Sequence, residues 1–122
     1  MFRAGRQDEV GAPIRVTLII DTGADSTMLN DQLMRSLGLT PTSQARVITS
    51  GSRGVPEPCD VYDVSLEIKG SATQEPWRVS PVAVLARPLV NQGTDGMIGR
   101  DLLRLGVLQY DGPKGTFSLT YP

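Results

Sequence analysis

An acidic residue placed directly after an apolar strand constrains this chain more than any other feature. Leu18-Ile19-Ile20 reads as the end of a buried β-strand, and Asp21-Thr22-Gly23-Ala24-Asp25 follows without a spacer. A carboxylate is therefore carried to the end of a hydrophobic strand and straight into a turn. Gly23 lets the backbone turn sharply and approach closely. Thr22 brings a hydroxyl and a backbone N–H beside the acid.

Residues the chain lacks narrow its chemistry further. It contains no histidine and a single cysteine, Cys59. Ser-His-Asp and Cys-His catalysis, His-ligated zinc and histidine acid–base work are therefore excluded. No internal disulfide can form, and no cysteine cluster can hold a metal. Hydrolysis in this chain must rest on carboxylates, hydroxyls, lysines or backbone donors. Cys59 reads as a small, partly buried residue with no histidine to activate it.

A length of 122 residues suits one domain, 1–122, with one core. The net charge of −1 comes without runs of like charge, so no footprint for nucleic acid or an anionic membrane is visible. No apolar stretch approaches the ~20 residues needed to span a bilayer. Met1 to Ile14 lacks the apolar core of a signal peptide. A soluble domain is expected. Its compartment is open: cytoplasm, or the periplasmic or lumenal part of a longer anchored protein.

Residues 1–12 read as a polar arm or edge strand. Ile14 to Ile20 alternates and then becomes fully apolar, as a strand entering a core does. Ser26 to Leu29 reads as a short strand. Asn30 reads as the N-cap of a helix over Asp31 to Leu37, with Gly38 ending it. Residues 45–60 are rich in Gly, Ser and Pro and read as a long hairpin with a mobile glycine tip. Val61 to Ile68 alternates cleanly, and Trp77 to Leu85 is a further strand in which Pro81 argues for an edge or bulge. Met97-Ile98 is a short strand leading into about one helical turn. Residues 107–122 form a terminal hairpin turning at Asp111-Gly112-Pro113-Lys114-Gly115. Many short strands with one or two short helices predict an all-β barrel or sandwich.

The second signal is Gly96-Met97-Ile98-Gly99-Arg100-Asp101. Together with Asp21-Thr22-Gly23-Ala24, and about 75 residues after it, this run resembles the paired signatures of the retropepsin-like aspartic proteases, of cellular or bacterial rather than viral type. The resemblance spans roughly Arg15 to Gly106. It implies a single-lobe pepsin-like closed β-barrel with a flap hairpin, dimerising through C2 symmetry. It also implies Asp21, Thr22 and Gly23 as the catalytic loop, with Thr22 hydroxyls cross-bonding beneath the site and Gly23 carbonyls contacting substrate. Arg100 would pair with Asp25, a bond whose two-pronged geometry lysine cannot copy. Residues about 47–58 would close as a flap over an extended peptide bound as an added strand. Ala24, Asp25, Ile48, Gly51, Ser52 and Ile98 are candidate substrate contacts, and Val82 and Val84 candidate pocket walls. Ser26 reads equally as a subsite residue or a surface turn.

An aspartic peptidase needs two carboxylates sharing one proton, because two charges ~3 Å apart do not both ionise cheaply. One Asp-Thr-Gly per chain therefore implies a homodimer, with Asp21 from each copy meeting at the two-fold axis. No cofactor or metal is implied, and the substrate is a peptide or protein. A haloacid-dehalogenase reading fails because Gly23 occupies the place of the second Asp. A bare Mg²⁺ or Ca²⁺ site at Asp21 and Asp25 offers too few oxygen ligands. An alternative from another class is a catalytically silent module of the same fold that dimerises or binds peptide.

Overall fold

The computed structural model describes residues 2–3, 13–48, 53–70, 75–89 and 93–121. In chain order the elements are β1 (Phe2–Arg3), β2 (Leu18–Ile20), β3 (Met28–Asn30), α1 (Asp31–Ser36), β4 (Ser43–Val47), β5 (Glu57–Ile68), β6 (Trp77–Arg87), β7 (Gly96–Ile98), α2 (Arg100–Leu103), β8 (Val107–Asp111) and β9 (Thr116–Thr120). Seven strands form one sheet in the order β1-β5-β6-β3-β7-β2, with β4 branching from β5. The remaining two, β8 and β9, pair with each other. The protein is mostly β, as expected, but the closed barrel is not seen. Among the described residues the sheet is an open path, because the last two strands form their own hairpin instead of joining its ends.

β7 occupies the position that matters for function. It lies between the two strands that flank the Asp21 loop, parallel to β2 and antiparallel to β3. Leu18, Ile19 and Ile20 face Gly96, Met97 and Ile98 in register, while Met28 and Leu29 face Met97 and Gly96. The loop between β2 and β3 is thereby tied at both ends to one short strand.

The long β5–β6 pair forms the body of the sheet. Alternation along β5 turns Tyr62, Val64 and Leu66 inward, at 4%, 0% and 6% exposure. Val64 pairs with Val82 but Leu66 with Val79, so Ser80 and Pro81 together oppose Ser65. This irregularity is the bulge that Pro81 announces in the sequence, since proline cannot donate to the ladder. Leu29, Met34, Val84 and Leu102 complete the most buried part of the core. Truncating a leucine such as Leu29 there would cost about 2–5 kcal/mol, the transfer and cavity terms together.

α1 starts where its capping chemistry dictates. The Asn30 side chain accepts from the Gln32 N–H at 3.1 Å, and Gly38 takes a left-handed φ of 70° after the last turn. Met34 is its buried residue. Trp77 and Tyr121 stack with ring centroids 3.5 Å apart, joining the start of β6 to the end of the chain. No described helix is long and apolar enough to cross a membrane.

Candidate active site

Asp21 stands at the C-terminal end of β2, half-buried. Its N–H donates to the Ile98 carbonyl at 2.9 Å, so the β2–β7 pairing runs right up to the acid. The chain then turns back on itself. The Gly23 N–H donates to Asp21 Oδ1 at 2.9 Å, and the Ala24 N–H to the Asp21 carbonyl at 3.2 Å. A Cβ on Gly23 would sit 3.2 Å from Asp21 Oδ1, so any larger residue would push against the carboxylate that the turn cradles. A carboxylate oxygen held by a backbone donor is fixed in direction, as a general base must be.

α2 braces this loop from the other side. The Arg100 N–H donates to the Ala24 carbonyl at 2.8 Å and the Asp101 N–H to the Asp25 carbonyl at 3.2 Å. Arg100 Nη1 donates to the Thr22 carbonyl at 2.8 Å, while Nη2 pairs with Asp25 Oδ1. One guanidinium thus spans the turn from Thr22 to Asp25. The pair lies at the surface, with the Asp25 side chain 85% exposed, so its value is positional rather than stabilising.

A further contact carries the loop's C-terminal half, and no sequence reading assigned it. Thr27 is fully buried. Its N–H donates to Asp101 Oδ2 at 2.9 Å, its hydroxyl donates to Asp101 Oδ1 at 2.8 Å, and that hydroxyl accepts the Gly99 N–H at 3.2 Å. Asp101 Oδ1 also takes the Leu102 N–H at 2.9 Å, in the first turn of α2, where a negative charge is favoured. The signal was the acid itself. An Asp just inside a short helix needs donors, and a threonine two residues beyond Asp25 supplies them.

The expected substrate contacts are placed unequally. Ala24 is half-buried and Asp25 exposed beside Asp21. Ile48, just past the end of β4, is 64% exposed, and Val55, just before β5, is 61% exposed. Gly51 and Ser52 lie outside the described residues. Ile98 is a correction. It is 8% exposed and packs in the core cluster, because alternation along β7 turns it inward with Ile20. The same alternation turns Ile19 outward, at 47% exposure, opposite half-buried Met97. The apolar wall next to Asp21 is therefore Ile19 with Met97. The run Leu18-Ile19-Ile20, read as wholly buried, hides this because its hydrophobicity masks its period. Of the two other candidate walls, Val84 is fully buried and Val82 half-buried against the core, where both act as packing residues.

Residues 9–102 match the family model described as aspartyl protease. That match covers most of the 122 residues and includes both signatures, so the chain belongs to the retropepsin-like aspartyl protease family. Peptide-bond hydrolysis is the class of chemistry that goes with it. No curated protein and no solved structure matches the chain.

Proposed function

We propose that this chain is an aspartic endopeptidase that works as a homodimer, with Asp21 of each copy contributing one half of the catalytic pair. The observation that carries the reading is the presentation of Asp21 itself. It sits at a strand end, bonded to Gly23, in a loop clamped by Arg100 and by the Thr27–Asp101 contact. So much bracing around one half-buried acid has no purpose in an idle turn.

In the dimer the two carboxylates share one proton. The charged member takes a proton from a water as that water attacks the scissile carbonyl carbon. The protonated member donates a hydrogen bond to the carbonyl oxygen, where negative charge develops. The tetrahedral intermediate then collapses, with the proton passing to the leaving nitrogen. The pair titrates as a unit, so activity should follow an acid-shifted or bell-shaped pH profile.

Substrate would lie extended between the Asp21 loop and the β4–β5 hairpin, bonding to strand backbone, with the Gly23 carbonyl among the acceptors. Residues about 47–58, including Ile48, Gly51 and Ser52, would close over it as a flap. Ile19 and Met97 would form the apolar wall nearest the scissile bond, with Ala24 and Asp25 beside it.

Cleavage of a mixed peptide library by wild type and by Asp21→Asn, across acid to neutral pH, tests this. Cleavage by wild type alone is expected. A dimer that binds peptide equally well with or without the substitution, and cuts nothing, would instead be a silent binding module.

A further inference from the structure

Asp95 stands at the foot of β7, anchored to both neighbouring strands. Its N–H donates to the Thr17 carbonyl at 2.8 Å, and its own carbonyl accepts the Asn30 N–H at 2.8 Å. Its Oδ2 accepts the Thr17 N–H at 2.8 Å. The residue therefore ties β2, β3 and β7 together where their pairing begins. That tie uses only one carboxylate oxygen. Among the described residues Oδ1 has no hydrogen-bond partner, and no cation pairs with the half-buried acid. Arg15, two residues before Thr17, is exposed and forms no ion pair with it.

Register puts this acid in line with Asp21. Side chains alternate along a strand, so Thr17, Ile19 and Asp21 share one face, and Asp95 and Met97 share the same face next door. Three rows cross that face. The first holds Asp21. The second holds Ile19, Met97 and Met28, and the third Thr17, Asp95 and Asn30. Adjacent rows lie about 6–7 Å apart, the rise of two strand residues. The middle row is apolar and open, with Ile19 47% exposed and both methionines half-buried. A negative charge thus stands at the far end of an apolar strip that begins at Asp21.

We propose that Asp95 selects the substrate: its unpaired oxygen receives the cationic tip of an arginine or lysine placed next to the scissile bond. The proposal rests on the reading that peptide lies over Asp21. Length and chemistry agree. A long basic side chain lays its methylenes along apolar surface and keeps its charge at the tip. Starting beside Asp21, the stem covers Ile19 and Met97, and the tip reaches the third row. A leucine there fills the strip but leaves the carboxylate uncompensated beneath the bound peptide. An acidic residue sets two negative charges together. Arginine gains more than lysine, because the Thr17 bond holds the carboxylate in one direction and a guanidinium bonds with fixed geometry. In a two-fold dimer the strip occurs twice, so the preference applies on each side of the bond that is cut.

The test uses the full chain and a peptide library with arginine, citrulline or leucine at each position in turn. Citrulline keeps the shape of arginine without the charge. Wild type is compared with Asp95→Asn, whose amide oxygen can still accept the Thr17 N–H, so the tie between strands stays while the charge goes. Both are also made with Asp21→Asn, where binding is read by fluorescence anisotropy without cleavage. At the position next to the cut, wild type should show at least about a tenfold higher kcat/KM for arginine than for citrulline, and Asp95→Asn should erase that ratio. An Asp95 that only ties strands would leave the ratio unmoved by the substitution. The citrulline comparison in wild type decides the matter if Asp95→Asn fails to fold. Arginine and citrulline cleaved alike, or a preference that survives Asp95→Asn, would overturn the proposal and leave the peptidase reading intact. No cleavage, but a binding preference for arginine that vanishes with Asp95→Asn, would sink the peptidase reading and leave this subsite standing. Neither cleavage nor binding of any peptide would overturn both.

Discussion

The Thr27 hydroxyl donates to Asp101 Oδ1 at 2.8 Å across 74 positions of sequence, inside the protein. This bond and its neighbours join the exit of the Asp21 loop to the start of α2. They fix where the loop ends, as the β2–β7 pairing fixes where it begins.

Replacing Thr27 by Val keeps the shape but removes the hydroxyl. The Gly99 N–H then loses its acceptor, and Asp101 Oδ1 loses a donor, in a fully buried place. Orphaning such groups should cost about 1–3 kcal/mol, read as a lower urea midpoint. Stability equal to wild type would show that the bond contributes nothing.

Gly99→Ala should be worse. A Cβ there would lie 2.6 Å from the Ser26 carbonyl carbon and 2.7 Å from its oxygen, and both are backbone atoms that cannot swing aside. A loss of about 3 kcal/mol is expected from the forced shift, with cleavage falling because the Asp21 loop moves too. A variant as stable and active as wild type would mean that the loop and α2 are not packed as described.

Arg100→Lys separates position from stability. One guanidinium reaches both the Thr22 carbonyl and Asp25, whereas an ammonium bonds as a point charge. The site is exposed, so stability should change by less than about 1 kcal/mol. A loop shifted by a fraction of an ångström should still lower kcat/KM by tenfold or more, roughly as misplacement does elsewhere. Unchanged kinetics would remove the bracing role.

Stability should fall in alkali. Burial pushes the Cys59 thiol and the Tyr62 and Tyr121 phenols above their ordinary values. Each is favoured neutral in the folded protein, so between its unfolded and folded pKa the unfolded chain binds fewer protons. The contribution is whole below the unfolded values, about 8.5 for Cys and 10 for Tyr, and is lost as pH rises through the folded ones. Unfolding midpoints from neutral pH to pH ~11 should decline across that range. Tyr121→Phe should blunt the decline and cost nothing at neutral pH. The Tyr121 hydroxyl is buried with no hydrogen-bond partner among the described residues, and its ring stack on Trp77 would survive. A neutral-pH loss above about 1 kcal/mol would show that the hydroxyl has a partner after all.

Local chemistry made much of the fold legible. Val61 to Ile68 shows its period in plain alternation, and β5 extends it only backward, to Glu57. Asn30 and Gly38 marked the ends of α1 by their capping roles. Pro81 marked the β5–β6 irregularity. Where the reading fell short, partners distant in sequence decided the outcome. Ile14 to Ile20 looks like one strand, but only Leu18–Ile20 has β7 to pair with. Ser26 to Leu29 shifts to Met28–Asn30 because Thr27 turns its N–H to Asp101 instead of a neighbouring strand. Barrel closure depended on what β8 and β9 paired with, which no local pattern specifies. At the site, the prominence of Asp21 and the pairing of Arg100 with Asp25 were legible only through the resemblance of the two signatures to a known family, and the structure shows that pair. The outward turn of Ile19, the inward turn of Ile98 and the Thr27–Asp101 bond all required register.

One subunit-mixing experiment tests most directly whether catalysis needs one Asp21 from each of two copies. Wild type is mixed with Asp21→Asn at fixed total concentration, where the chain is dimeric by mass, and peptide cleavage is followed as the mutant fraction rises. Activity should fall with the square of the wild-type fraction, so that an equal mixture retains about a quarter of the initial rate, since only dimers with two aspartates work. A rate that falls in simple proportion to the wild-type fraction would contradict it, for each Asp21 would then be acting alone.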